Sequence, residues 1–376
     1  MTSCLIMVFQ PLCQRQIEAY EQVVANPARG NCQRMSTMPR IFRRFIYFGY
    51  YLRETDWKVL SNYLSHLHQY GGYSRSRLLS DAVYSSFRYN IGLIDFFEFR
   101  FFELDASERE RWAGTGFMYE FHRKMNPVDQ RDVLHDKLRF LQAYAPFIRH
   151  PHCVVRDVEE DSSSFQELLA ASPDKIVLKD AMGQCGWGVD VVDATMDRKA
   201  LLKHMQQRGY NLVEGYVQQH PELAEMSPSG LNTVRMVTLV DKNNEVHILG
   251  AILRMSINSF VDNIAMGNIA APIDVETGML LSEGVYKDIT KPPESEHPVT
   301  GKQIIGFQVP HWQEVVSMTR MAALHDLSNR SIGWDVAITE SGPSLIEGNH
   351  NWCKFLWQLP VQRGLKSRLL EFYTPR

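Results

Sequence analysis

Two textures of apolar spacing divide the chain. Trp57, Leu60, Leu64 and Leu67 recur every three or four residues, the repeat of an amphipathic helix. Residues 1 to about 130 read as mainly helical on that basis. Asn126-Pro127 breaks the chain, and a helix starting near Asp129 carries Val133, Leu138 and Leu141. Beyond it the apolar runs shorten. Lys175–Asp180 and Val189–Val192 predict strands, and Thr233–Val240 and Val246–Met255 predict a hairpin around Asp241-Lys242-Asn243-Asn244. A further hairpin is expected from Trp334–Ile338 and Ser344–Asn349 around Ser341-Gly342-Pro343, with helical patterns at about 197–208 and 311–327. The expected fold class is α+β, with a helical N-terminal region at 1–130 and an α+β domain at 131–376.

Composition narrows the functional classes. A length of 376 residues suggests two or three structural units, and 44% hydrophobic with 22% charged residues excludes disorder as the main state. The net charge of −3 carries no footprint for nucleic acid. The early apolar run Cys4–Phe9 is six residues, against about twenty for a membrane span. It has no basic leader or clear cleavage site, so a cytoplasmic protein is expected. Cys4, Cys13, Cys32, Cys153, Cys185 and Cys353 form no CxxC pair and read as reduced thiols, neither disulfides nor a zinc site. The stretch Phe42–Phe48 mixes aromatic residues with Arg43 and Arg44, which suits a membrane surface or a polyanion, but a core helix with arginine at its edge is the expected reading. The run Phe96–Phe102 is read the same way, as helix or strand.

Gly183-Gln184-Cys185-Gly186-Trp187-Gly188 lies between two predicted strands. Glycines let backbone N–H groups approach a phosphate without Cβ clashes. A Walker loop or a dinucleotide fingerprint would run into a helix, so a hairpin lid over phosphates fits better. On the strand before it, Lys179 faces away from Ile176 and Leu178, which can anchor the strand while the ammonium faces a ligand. The alternative is a tight hairpin with a surface lysine. A protein kinase would place its lysine after the glycine loop and carry HRD and DFG motifs, and neither condition is met.

In a hairpin centred on Ser341, Asp335 falls opposite Glu347, and Asn349 shares the face of Glu347. Like charges placed opposite are destabilising unless a cation lies between them. Two carboxylates and an amide oxygen that leave room for water and phosphate suit Mg²⁺. The alternative is a solvated strand face.

In this order the pieces resemble the ATP-grasp superfamily: Asp136-Lys137 opening a helix, Lys179 with its glycine loop, the strand Asn211–Val217, and Asp335, Glu347 and Asn349, together over about 131–355. Asn232–Arg235, Arg254 and Val261-Asp262-Asn263 resemble the core of ribosomal-protein glutamate ligases. His297–Gly301, Gly306–Trp312 and Ile332–Asp335 are similar to the sugar-transfer-associated ATP-grasp proteins. The resemblance implies a lid subdomain at about 145–212 and a catalytic subdomain at about 213–376. It gives Lys137, Lys179, Gly183, Gly186 and Gly188 to the ATP phosphates. Glu214, Tyr216 and Val217 would read the adenine, with His220 or Glu222 near the ribose. Arg235, Arg254 and Asn263 would hold the transferred phosphoryl group and the oxyanion, and Asp335, Glu347 and Asn349 would bind Mg²⁺. D-alanine–D-alanine ligases often carry an arginine two residues before the metal aspartate. Here that residue is Gly333, and Arg235 or Arg254 is expected to supply the charge.

The resemblance implies a ligase that activates a carboxylate with ATP as an acyl phosphate and passes it to an amine. Its substrates would be small molecules, one of them a uronic acid or an amino acid destined for a surface polysaccharide. The rivals are an ATP-grasp phosphotransferase acting on a hydroxyl, and a non-catalytic nucleotide-binding partner of a glycosyltransferase.

Overall fold

The protein is described from a computed structural model, over residues 40–183 and 188–374. Gly186, and all the cysteines but Cys153 and Cys353, lie outside the described residues, as does the apolar run Cys4–Phe9. Cys153 and Cys353 are unpaired thiols. No described helix is long and apolar enough to cross a membrane. The chain divides into two compact units, one ending at Phe117 and joined by the last residues from Thr374, the other Met118–Tyr373.

Over its described residues the first unit is helical, as its spacing predicts. Asp56 caps the helix Trp57–Gly71, accepting from the amides of Lys58 and Val59, and Gly72 ends it at φ +68°. The helix buries Leu60, Tyr63 and Leu67 but leaves Trp57 exposed. Phe96, Phe97, Phe99 and Phe101 are buried, on a short helix Leu93–Glu98 and the 3-10 turn that follows. The core reading of Phe42–Phe48 needs correction. The helix Arg40–Glu54 buries Tyr47 and Tyr51 but turns Phe42, Phe45 and Ile46 outward, and Arg43 and Arg44 are half-buried. At 3.6 residues per turn, Phe42 and Phe45 fall on the face opposite Tyr47 and Tyr51.

The second unit holds two antiparallel sheets. Strands β1 (His152–Val154), β2 (Lys175–Lys179), β3 (Val189–Asp193) and β4 (Leu212–Gly215) pair in the order β1-β4-β2-β3. Ile176, Leu178 and Val213 pack on Val158, Phe165, Leu168 and Met205 from the neighbouring helices. Strands β5 (Thr233–Val240), β6 (Val246–Met255), β7 (Ile269–Ile273), β8 (Ser331–Thr339) and β9 (Gly342–Asn349) form the larger sheet, in the order β7-β6-β5-β8-β9. Val234, Met236, Leu253, Trp334, Val336 and Leu345 share one core with the helix Trp312–His325. By the two-residue period of a strand, Arg235, Arg254 and Asp335 point to the other face.

The β8–β9 hairpin differs in detail from the expected one. Its loop is Glu340-Ser341, and near the turn the register runs Thr339↔Gly342 to Val336↔Leu345. A bulge at Ile346 then shifts the pairing by one, so Asp335 opposes Glu347 after all. The bulge lets Leu345 face the core while Glu347, two residues on, joins the charged face. The helix expected from Asp129 is also two pieces, Asp132–His135 and Lys137–Ala143. Asp136 breaks them apart and caps the second, accepting from the amides of Leu138 and Arg139.

Candidate active site

On the charged face of the larger sheet, Arg235 lies across from Asp335, which lies across from Glu347. Asp335 is buried and takes both Nε and Nη2 of Arg235, the latter at 3.0 Å. Its Oδ2 also accepts from Nη1 of Arg254 at 2.8 Å. Arg254 is held in turn by Asp262, with Nη2 2.5 Å from Oδ1. Asp262 is fixed by the amide and hydroxyl of Thr233, at 2.7 and 2.6 Å. Glu347 accepts from Nδ2 of Asn349 at 3.2 Å.

Burial alone would push the Asp335 carboxyl up. The two guanidinium groups more than reverse that and hold it well below the usual carboxylate range. Burial, then the charge of Asp335, push Glu347 up, and Lys137 only partly offsets them. This is the electrostatic state that a cation relieves, and the donor set of two carboxylates and an amide suits a hard ion. The same geometry shows that Asp335 already has two cationic partners.

Lys137, first residue of the helix that Asp136 caps, bonds the turn after β2. Its amide donates to Ala181 O at 3.0 Å, and its ammonium to Gly183 O and, at 3.4 Å, to Asp180 O. Burial lowers its pKa, and the charges it feels next are Glu347, Lys179 and Glu214. Asp180 and Gly188 close the base of the β2–β3 hairpin, N to O at 3.1 Å, with Gly188 at φ +72°. The opposed facing of Lys179 and Leu178 is as expected. Lys179 bonds Glu214, its diagonal neighbour on β4. Burial would raise Glu214, but Lys179 and then His150 hold it well below its usual range.

The remaining predicted residues make other contacts. Asn263 caps a 3-10 turn, accepting from Ala265 N at 3.0 Å. His220 caps the helix Pro221–Met226 through the amide of Glu222, whose side chain is exposed, and its own amide donates to Ile338 O at 2.7 Å. Tyr216 is partly exposed, 5.8 Å beneath the Lys175 ammonium, and Val217 is half-buried. Two residues given no role from sequence stand inside the cluster: Asp262, behind Arg254, and His150, beside Glu214. Asp262 lies next to a predicted residue. His150 follows no spacing that would mark it.

The fold is ATP-grasp. The model of one family, the sugar-transfer-associated ATP-grasp proteins, matches residues 117–373, more than half of the chain, and the chain belongs to that family. No protein of curated function matches in sequence. Among solved structures, the chain is similar to a biotin carboxylase–β,γ-ATP complex from Campylobacter jejuni, at 13% identity over 65% of this chain and 48% of that one, TM-score 0.42. It is similar to N5-carboxyaminoimidazole synthetase from Staphylococcus aureus with ADP, at 10% identity over 65% and 54%, TM-score 0.41. It is also similar to an L-amino acid ligase from Bacillus licheniformis, at 13% identity over 64% and 50%, TM-score 0.35. The chain spans about half the length of these proteins.

Proposed function

We propose that the protein is an ATP-dependent carboxylate–amine ligase. The observation that carries this reading is the single sheet face bearing Arg235, Arg254, Asp335 and Glu347, with Lys137 bonded to the turn after β2 and under the charges of both Glu347 and Lys179. Phosphoryl transfer needs positioning and charge neutralisation more than a protein nucleophile. Lys137, Lys179 and the amides of Gly183, Gly186 and Gly188 hold the triphosphate. Glu214, Tyr216, Val217 and His220 line the nucleoside. Asp335, Glu347 and Asn349 hold Mg²⁺, which neutralises phosphate charge when bound.

A carboxylate oxygen of the first substrate attacks the γ-phosphorus, and the bond to the β-phosphate oxygen breaks to release ADP. Arg235 and Arg254 steady the oxyanions, with Asn263 at the edge of that site. An amine then attacks the acyl phosphate carbonyl, loses a proton and expels phosphate, leaving an amide. The family's association with sugar transfer supports a uronic acid or amino acid bound for a surface polysaccharide as one substrate, handled in the cytoplasm.

The test is incubation with ATP, Mg²⁺ and a panel of amino acids and uronic acids. ADP and phosphate should appear, and hydroxylamine in place of the amine should give a hydroxamate. ADP formation with a phosphate ester and no hydroxamate would move the assignment to a phosphotransferase.

A further inference from the structure

We infer that His150 is a positioning residue of the nucleotide site, balancing the buried Glu214 carboxylate when Lys179 turns to a nucleotide phosphate. The inference rests on the ligase reading above. Glu214 Oε2 has two cationic or donor groups beside it: the Lys179 ammonium, in direct contact, and His150 Nε2 at 3.5 Å. The side chains of His150 and Glu214 are each 4% exposed. Neither ring nitrogen of His150 makes a hydrogen bond among the described residues. At that distance the imidazole already helps hold the Glu214 carboxyl low, and a buried donor that stands so near a carboxylate without closing on it calls for an explanation.

The explanation lies in the double use of Lys179. The structure pairs it with Glu214, and a nucleotide phosphate would compete for the same ammonium. Drawing that charge away would strand a buried carboxylate, which is strongly unfavourable. His150 stands just beyond ordinary hydrogen-bond distance. A closure of about half an ångström lets its Nε2–H donate to Glu214 as the ammonium leaves. The backbone around it is held on both sides. Arg149 N donates to Ser344 Oγ at 3.0 Å, and Pro151 O accepts from Gly215 N at 2.8 Å. Gly215 permits that approach, because a Cβ there would lie 2.6 Å from Ser172 Oγ and 2.9 Å from the Pro151 ring. The imidazole is therefore fixed against the strand that carries Glu214.

The experiment is calorimetric titration of the full chain with Mg²⁺ and the β,γ-imido analogue of ATP, beside thermal melts of the empty protein. His150→Leu should weaken binding roughly ten- to a hundred-fold, the worth of a hydrogen bond to a buried charge. The empty protein should melt close to wild type, because Lys179 still pairs with Glu214. His150→Gln, whose amide nitrogen can stand where Nε2 stands, should bind within about threefold of wild type. In a Glu214→Gln background His150→Leu should cause no further loss. Equal binding by wild type and His150→Leu, or an undiminished loss in the Glu214→Gln background, would overturn the role of His150 and leave the ligase reading standing. A His150→Leu protein that fails to fold would also overturn it, since Lys179, the larger of the two influences on Glu214, stays in place. If the wild-type protein itself does not bind the analogue, the ligase reading fails and takes this inference with it.

Discussion

Replacing Lys179 by methionine separates its charge from its stem. The Lys179 and Glu214 side chains are 13% and 4% exposed, so the pair is surrounded by protein. Methionine keeps the apolar stem, and Ile176 and Leu178 keep the strand anchored. Glu214 is then left with His150 at 3.5 Å as its nearest donor. Removing one partner of a buried pair costs about 3–5 kcal/mol. A ceiling comes from protonation: from an ordinary pKa of about 4.3, neutralising the carboxyl at pH 7 costs about 1.36 × 2.7, or about 3.7 kcal/mol. Closure of His150 onto Glu214 offsets part of this, about 1.5–3 kcal/mol, so a net loss of about 1–2 kcal/mol is expected, which for a unit of this size lowers Tm by roughly 2–8 °C. The sign with pH follows from the shifts. The wild-type carboxyl lies well below its unfolded value, so the pair stabilises the fold above about pH 4.3 and that contribution is lost as pH falls through the folded value. Without Lys179, burial is opposed by His150 alone and raises the carboxyl from its wild-type position. The penalty is then greatest at neutral pH, and the gap in Tm narrows as pH drops from 7.5 to 5. Calorimetry at several pH values, beside ADP formation per folded molecule, reads both effects. Turnover should fall roughly 10²–10³-fold, and adding Glu214→Gln should restore stability without restoring turnover. A single variant melting within about 1 °C of wild type at pH 7.5, with normal turnover, would refute the reasoning.

Three other perturbations probe the rest of the site and its support. Glu347→Gln relieves repulsion with Asp335, so the empty protein should melt no lower than wild type. Its Mg²⁺ requirement for ADP formation should rise at least the roughly tenfold seen when groups orienting a metal ligand are removed, and an unchanged magnesium titration would remove the metal role. Gly333→Ala would put a Cβ 2.5 Å from Trp352 Cβ and 3.2 Å from Arg235 Cδ. Overpacking of that kind costs about 1–3 kcal/mol and should also lower turnover by moving Arg235, so a variant with wild-type Tm and rate would contradict it. His122 is buried against Trp352, and burial lowers its pKa to about 3, so the fold refuses a proton that the unfolded chain accepts below about pH 6.5. It should therefore cost about 1.4 kcal/mol of stability per pH unit as pH falls from 6 to 5, and His122→Gln should flatten denaturation slopes by that amount. Identical slopes for the two proteins would show that His122 is not the group.

The strands were legible because their chemistry is local. Thr233–Val240 and Val246–Met255 have the predicted bounds, since β-branched and apolar runs meet a polar turn whose Asp241 side chain accepts from the amides of Asn243 and Glu245. The break at Asp136 was legible as a helix start but not as the end of a preceding helical turn, because a capping aspartate looks the same from either side. The bulge at Ile346 was not legible. Both registers pair Asp335 with Glu347, and only the need to bury Leu345 with Val336 distinguishes them. The missing arginine at position 333 has a physical counterpart. Arg235 runs past Gly333 to reach Asp335, through space that a side chain there would fill.

What the residue order could not convey is the bonding of the site with itself. Read along the chain, Lys179, Arg235, Arg254 and Asp335 each look like a ligand for something that arrives from outside. Folded, Lys179 holds Glu214, while Asp335 takes both guanidinium groups and Asp262 shares one of them. The two descriptions are compatible. A buried charge without a partner is costly, so a site that collects phosphate-binding cations and metal-binding carboxylates must satisfy them internally when empty. Ligands then bind by exchange, and each internal pair broken subtracts from the free energy of the new contacts. Affinity in such a site depends on what waits behind each group that leaves. Asp262 stands ready behind Arg254, and the proposed role of His150 is to do the same behind Glu214.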